Sequence, residues 1–357
     1  MRRSTLMARA ARCAIARAAP HAIARALLRA MVCCLAFGAP PLAGAAGLPT
    51  VTLGVVNWIG YGPIYCAAAK GYYKRYGRDV RLVTFTDNSL MAGALEGGEL
   101  DATTLTYDQV IVADARGWKL EVVMPVDYST GGDAILANVG VVSVRDLKGR
   151  KVAFQPLSPS DFLLGYALAQ AGLSEKDIQP VNATPEGVAG IMASGAVDAG
   201  VTYQPNVAMI LKLGGGRNYH VLLSSREARG MITDVLVLTA SRIAADPRLV
   251  DELIRGTLDG LAFMRQQPDQ AAAIIARVLE ITRADVLAQL PNIENPPLAQ
   301  LGDVFRHSNA LPSFYASGKI IGQILAKQGQ IATLPSIDDT YDARFVNALQ
   351  AQKGALK

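Results

Sequence analysis

Short apolar runs alternate along most of this chain with longer stretches whose apolar positions recur every three or four residues. Val51–Val56 predicts a buried strand, followed by a loop and a helix over Pro63–Tyr76. Asp79–Thr86, Ala102–Thr106 and Leu120–Val126 read as further strands, with helices over Ser89–Glu96 and Asp108–Arg116 between them. Strand, helix, strand in this rhythm implies parallel βαβ units in an α/β fold, with helices on both faces of the sheet. A polar, glycine-containing break over Asp127–Gly132 precedes a second set. Its strands are Lys151–Phe154, Ile178–Asn182, Ala199–Tyr203 and His220–Leu223, and its helices Ser160–Ala171, Pro185–Ala193 and Pro205–Leu213. Asp234–Thr239 is one more apolar strand, placed to lead back to the first set. After Pro247 the period is helical: Arg248–Gln266, Gln270–Val278, Leu298–Asn309 and Gly318–Lys327.

The stretch after the leader exceeds what one compact core usually serves, so two lobes are expected. Residues 47–130 open the first lobe, 131–230 form the second, and 231–357 return to the first and add the C-terminal helices. Two crossings, near residues 130 and 230, make a hinged clam-shell.

Charge changes the picture at the N-terminus. The whole chain carries 35 Lys+Arg against 30 Asp+Glu, a net +5. Seven of those arginines (Arg2, Arg3, Arg9, Arg12, Arg17, Arg25 and Arg29) fall in residues 1–47, which hold no acidic residue. Without them 28 basic residues face 30 acidic ones, a net of about −2, and no surplus is left to neutralise a row of phosphates, so nucleic acid is not an expected partner. The same stretch runs from arginines into the apolar Ala30–Phe37, then Pro40–Pro41 and the small residues Leu42–Gly47. That order predicts a secretory signal peptide over 1–46, cleaved near Ala45 or Ala46, and a periplasmic protein. A twin-arginine signal at Arg2–Arg3, a start at Met7 and a mitochondrial transit peptide are the alternatives. The apolar run is well short of the ~20 residues that span a bilayer. Cys13, Cys33 and Cys34 leave with the leader, so Cys66 remains alone, flanked by Tyr65 and Ala67–Ala69, and reads as a buried structural thiol.

In open α/β sheets ligands gather at the carboxyl ends of strands. Here those ends are Asn57–Gly62, Thr86–Ser89, Thr106–Asp108, Gln155–Ser160, Ala183–Pro185 and Tyr203–Pro205, rich in hydroxyls, amides and aromatic rings. Trp58 and Tyr61 flank glycines, where a ring can cover a ligand or simply pack the lobe. Asn88, Ser89, Thr106 and Tyr107 begin helices, as caps or as ligand contacts. Ser158 and Ser160 open a helix and could hold an oxyanion or serve only as caps. Tyr203 ends its strand and Ser129 lies in the break before the second lobe, and both are candidate ligand contacts. Asp133 and Asp234 each sit in an apolar run beside a hinge crossing, and a buried carboxylate there needs a partner. The partner is either a hinge lock or a cationic or amide group of the ligand; if both aspartates face the cleft, the ligand bears an amine or amide and is not a bare oxyanion.

Several segments carry a resemblance. Asn57–Tyr65 with Lys70–Lys74, Gly93–Asp101, Val126–Asp133, Asp146–Ala153, Ser194–Pro205 and Tyr341–Phe345 resemble, in order along the chain, the nitrate/sulfonate/taurine class of ABC-transporter solute-binding proteins. Proteins that bind thiamine-pyrimidine precursors share that fold. The resemblance implies a two-lobed type II periplasmic binding protein with a two-crossing hinge, working as a monomer. It also implies a small polar solute, whether sulfonate, amine or pyrimidine-like, and an ABC permease of the inner membrane as partner. The C-terminal helices would pack on the first lobe.

An enzyme is the competing expectation. Beyond the leader the histidines are His220 and His307, and no zinc spacing, nucleophile elbow or phosphate-binding loop appears, so neither metal nor cofactor is implied. Pyrimidine-precursor synthases on this fold need a cysteine-rich stretch, which one cysteine does not supply. A ligand sensor that docks on a receptor is a third expectation.

Overall fold

The computed structural model describes residues 47–355. The signal peptide expected over 1–46 lies outside the described residues. Among the described residues, eleven strands form two sheets. They are β1 (Thr50–Val56), β2 (Asp79–Phe85), β3 (Ala102–Thr106), β4 (Leu120–Ser129), β5 (Asp133–Asn138), β6 (Lys151–Phe154), β7 (Gln179–Asn182), β8 (Ala199–Tyr203), β9 (Tyr219–Ser224), β10 (Thr233–Thr239) and β11 (Ile293–Glu294). The first sheet has the order β11-β4-β10-β3-β1-β2 and the second β7-β6-β8-β5-β9. Only β4 to β5 and β9 to β10 pass between the sheets, so the chain crosses twice.

The parallel arrangement expected from the strand–helix rhythm holds for only part of each sheet. β1 lies parallel to β2 and β3, and β6 parallel to β7 and β8. The crossing strands are antiparallel to their neighbours: β10 to β3 and β4, and β5 to β8 and β9. A strand entering a sheet from the other lobe has no crossover helix to reverse it, and the strand–helix rhythm carries no trace of that. β4 also runs through the polar segment expected to be a break, ending at Ser129, and β5 starts four residues later at Asp133. The helix expected over Pro63–Tyr76 is two, Gly62–Lys70 and Tyr72–Arg75, split where Gly71 takes the left-handed φ of 68°. Leu298–Asn309 yields only Leu298–Leu301 and a 3-10 turn over Gly302–Phe305. Helices Ala240–Ala245, Arg283–Gln289 and Arg344–Ala355 come in addition.

The first lobe is held by the helix Pro247–Gln266, whose buried Leu249, Val250, Leu253, Ile254 and Leu261 form one apolar stripe. It packs on Gly62–Lys70 at a spacing only glycine permits, since a Cβ on Gly260 would strike the Pro63 carbonyl. In the second lobe Ala134, Leu136, Ala153, Val188, Met192, Val207 and Ile210 fill one face of the sheet. The helix Phe314–Lys327 is not confined to the first lobe, as the resemblance implied. It touches both Tyr107–Ala115 of the first lobe and Pro159–Gln170 of the second. The Gln328 amide just beyond it donates to the Asp161 carbonyl at 3.1 Å and to Glu175 at 2.9 Å, both in the second lobe. Among the described residues no helix is long and apolar enough to cross a membrane.

Candidate functional site

A small cavity lies between the two sheets, walled from both sides by the ends of strands. From the first lobe come Val56, Trp58 and Tyr61 after β1, Asn88 after β2, Thr104, Thr106 and Gln109 around the end of β3, and Asp234 on β10. From the second come Asp133 on β5, Pro159 after β6 and Tyr203 on β8.

The loop after β1 is shaped around Trp58. Its indole N–H donates to both oxygens of Asp127, each at 3.2 Å, and Trp58 is 3% exposed. A Cβ on Gly60 would collide with the Asp127 carboxylate and the indole nitrogen, and one on Gly132 with the indole ring. These two glycines are therefore required by the seat of one tryptophan. Asn295 donates to the carbonyls of Gly60 and Val126, at 2.9 and 3.0 Å, pinning the loop to β4. Across the cavity the Trp58 ring meets Tyr203 of the second lobe edge to face, with centroids 5.6 Å apart and planes at 83°.

Three carboxyl groups converge on this region. Asp127 and Asp234 face one another in the β4–β10 pairing, and Asp133 stands at the start of β5. They are 0%, 4% and 2% exposed. Tyr61 donates its hydroxyl to Asp234 at 2.5 Å, while Oδ2 of Asp133 makes no hydrogen bond. Burial raises the Asp133 carboxyl to about 7. Burial pushes Asp127 and Asp234 upward as well, with repulsion from Asp133 adding to both and repulsion from Asp127 adding to Asp234. No Lys, Arg or His lines the cavity. Among the described residues no group of three His, Cys, Asp or Glu side chains is placed to hold a metal ion.

The lobes are fastened over the cavity by amides. The Asn88 side chain donates to Gln155 Oε1 at 2.9 Å and to the Tyr203 hydroxyl at 3.0 Å, and its backbone N–H reaches the same Gln155 oxygen at 3.2 Å. Gln155 donates back to Asp87 at 2.8 Å, and Gln109 donates to the Leu157 carbonyl at 3.3 Å. Leu157 holds a left-handed φ of 57°, with its N–H bound to Asp161 at 2.8 Å. A non-glycine residue kept there is strained backbone at the rim of the cavity.

The residues singled out from sequence divide into groups. Trp58, Tyr61, Asn88, Thr106, Asp133, Tyr203 and Asp234 line the cavity together. Ser89 lines an adjoining shallower recess that shares Asn88 and Gln109 and also receives Asp108 and Arg116. Tyr107 points into the first-lobe core instead, stacked on Phe314 at 3.9 Å with its hydroxyl on Thr340 at 2.9 Å. Ser129 bonds Ser225 across the hinge at 2.7 Å, and Ser158 caps its helix while donating to the Gln155 carbonyl at 2.7 Å. Ser160 is buried and its Oγ makes no hydrogen bond. Sequence reasoning passed over Thr104, Gln109, Gln155 and Asp127 as individual residues. Gln155 and Asp127 had a signal, since each ends or follows an apolar run at a strand end. Thr104 and Gln109 had none beyond their place beside Thr106.

Residues 58–271 match a family model described as NMT1/THI5 like. The riboflavin-binding protein RibY of Chloroflexus aurantiacus is 28% identical over 267 residues, covering 71% of this chain and 75% of RibY. Among solved structures, the periplasmic aliphatic sulphonate binding protein SsuA from Escherichia coli superposes with a TM-score of 0.65 at 22% identity, covering 82% of this chain and 97% of SsuA. The periplasmic nitrate-binding protein NrtA from Synechocystis PCC 6803 gives a TM-score of 0.68 at 14% identity, covering 87% and 90%. At those identities the two structures establish the two-lobed fold and nothing about the ligand.

Proposed function

The chain belongs to the NMT1/THI5-like family, and from that premise we propose that it is the periplasmic solute-binding component of an ABC importer. It captures a small polar organic solute between its lobes and delivers it to a membrane permease, acting as a monomer. The observation that carries this reading is the cavity between the sheets, walled by both lobes, with Trp58 of one against Tyr203 of the other. A solute held there touches both lobes only when they are closed, so its binding energy favours closure, and closure is what a permease can recognise. RibY, SsuA and NrtA, all named as binding proteins, support the same role.

The reading is of a binder and not of an enzyme. Cys66 is buried on the helix Gly62–Lys70, and burial pushes its thiol up to about 12, which leaves no thiolate at neutral pH. His220 and His307 do not line the cavity. A thermal-shift screen of small solutes, followed by isothermal titration of each hit, tests the proposal. At least one solute should raise the melting temperature by mass action and bind at one site per chain. Turnover of a solute by the purified protein, with no solute that stabilises it, would overturn the reading.

A further inference from the structure

The cavity is unusual in its charge balance. Asp133 and Asp234 line it, and Asp127 stands directly behind the Trp58 indole. Arg116 belongs to the adjoining recess, and no basic side chain reaches the cavity itself. The hydrogen bonds of Asp127 and Asp234 come from neutral donors, the indole N–H and the Tyr61 hydroxyl. Asp133 Oδ2 has none, although the residue is 2% exposed. A buried carboxylate oxygen left without a donor is costly, and more so when charged. An anion placed here would meet like charge from any ionised carboxylate and would have to keep both acids protonated. A nitrogen cation with N–H groups would remove that cost, because it supplies charge and donors together. The rings of Trp58, Tyr61 and Tyr203 offer the apolar and π surface that suits the rest of an organic cation.

Resting on the solute-binding reading above, we infer that the solute is an organic cation bearing N–H donors, an ammonium or amidinium, held by Asp133 and Asp234 with Asp127 behind them. Its carbon skeleton lies against Trp58 and Tyr203, and its nitrogen faces the unpartnered oxygen of Asp133. The raised carboxyls fit this arrangement. Where nothing cationic is near, Asp133 is partly protonated at neutral pH and Asp234 is shifted towards its protonated form, and pairing with a cation drives those protons off. The other titratable groups facing them are acids or phenols: Asp127, Asp108, Tyr61, Tyr65 and Tyr203. Binding should therefore release protons, and affinity should rise with pH.

Matched probes separate charge from shape. Benzamidine and benzylamine carry the cation, benzenesulfonate carries an anion and benzamide is neutral, all on one ring. The smaller pair ethylamine and ethanesulfonate covers the case of a tight cavity. Titration calorimetry of the purified protein in two buffers of different ionisation enthalpy measures affinity and proton release together. The cation of each set should bind most tightly, release protons, and gain affinity between about pH 6 and pH 8. D133N and D234N should each lose about tenfold or more of that affinity. Both variants replace an acid by an amide of the same shape, and circular dichroism with a melting curve confirms that they fold. If D234N fails to fold, D133N alone decides. A sulfonate that binds more tightly than its matched amine overturns the cation and leaves the solute-binding reading standing. Unchanged cation affinity in D133N overturns it as well. If neither these probes nor a broad library of small solutes binds, the solute-binding reading falls and the cation with it.

Discussion

The most consequential single residue is Asp133, because its carboxyl is raised by burial and its Oδ2 is unpartnered. The sign of its effect on stability follows from linkage. Its value is about 7 in the folded chain against an ordinary 3.8, so the folded state keeps a proton that the unfolded state gives up. That contribution is fully present below the ordinary carboxylate range and is lost as pH rises through about 7. Asp108, raised to about 6 by burial, and Asp127 and Asp234 shift the same way. The melting temperature of the protein alone should therefore fall between about pH 5 and pH 8. D133N cannot ionise, so its decline should be shallower, and at pH 8 it should be more stable than the parent by about 1–3 kcal/mol. Calorimetric melting curves across that range check both statements, and a D133N curve parallel to the parent's would contradict them. The same variant is expected to be the weaker binder, so stability and affinity move in opposite directions at one atom.

Elements explain what could and could not be read from the sequence. Buried strands announce themselves: β3, β6 and β8 stand at the bounds the sequence predicted, and every residue in them but Lys151 is buried. Of the crossing strands, β10 stands within a residue of its predicted Asp234–Thr239, whereas β5 and the polar end of β4 were hidden. β4 continues past Val126 because Asp127 and Ser129 each find a partner inside the protein, Trp58 and Ser225, which no local pattern reports. Leu298–Asn309 looked helical by period, yet the chain tightens to a 3-10 turn from Gly302, whose Cβ position is filled by Gln350 of the last helix. Candidate site residues were legible where they end strands. Tyr107 was misplaced because helix periodicity was not applied to it: one residue past Thr106, it turns to the opposite side of the chain, onto Phe314. The hinge itself makes a test at this scale. Ser225 Oγ meets Ser129 Oγ at 2.7 Å and accepts from the Gly131 N–H at 2.8 Å, tying both crossings together. S225A should cost about 1–3 kcal/mol by leaving these partners without it. Urea unfolding measures that cost directly, and hydrogen exchange at Gly131 and Asp133 should quicken in the variant, while an unchanged midpoint would show that the hinge does not depend on this hydroxyl.

At the scale of the whole molecule the balance lies between two arrangements of the same lobes. Closure is held by a few amide hydrogen bonds at the rim, between Asn88 and Gln109 on one side and Gln155, Leu157 and Tyr203 on the other. Such bonds are each worth only about 0.5–1.5 kcal/mol net, so the latch biases the lobes without locking them. That is the range in which a solute's own contacts can decide the outcome, since a ligand shifts an equilibrium only by its differential affinity for the two states. The strap from Gln328 to Asp161 and Glu175 adds a second tie beside the rim, since Asp161 also holds the Leu157 N–H. Asn88 is the best place to cut, because its side chain makes two of the cross-lobe bonds and its loss opens no core. N88A should shift the lobes towards the open form by about 1–3 kcal/mol and weaken solute binding about tenfold or more. Small-angle scattering should show a larger radius of gyration for N88A alone, returning to the parent value when solute saturates it. A variant that binds more weakly with no change in radius would mean that Asn88 contacts the solute and does not latch the lobes. One whose radius grows and stays large at saturation would mean that the latch, and not the solute, supplies most of the closing energy.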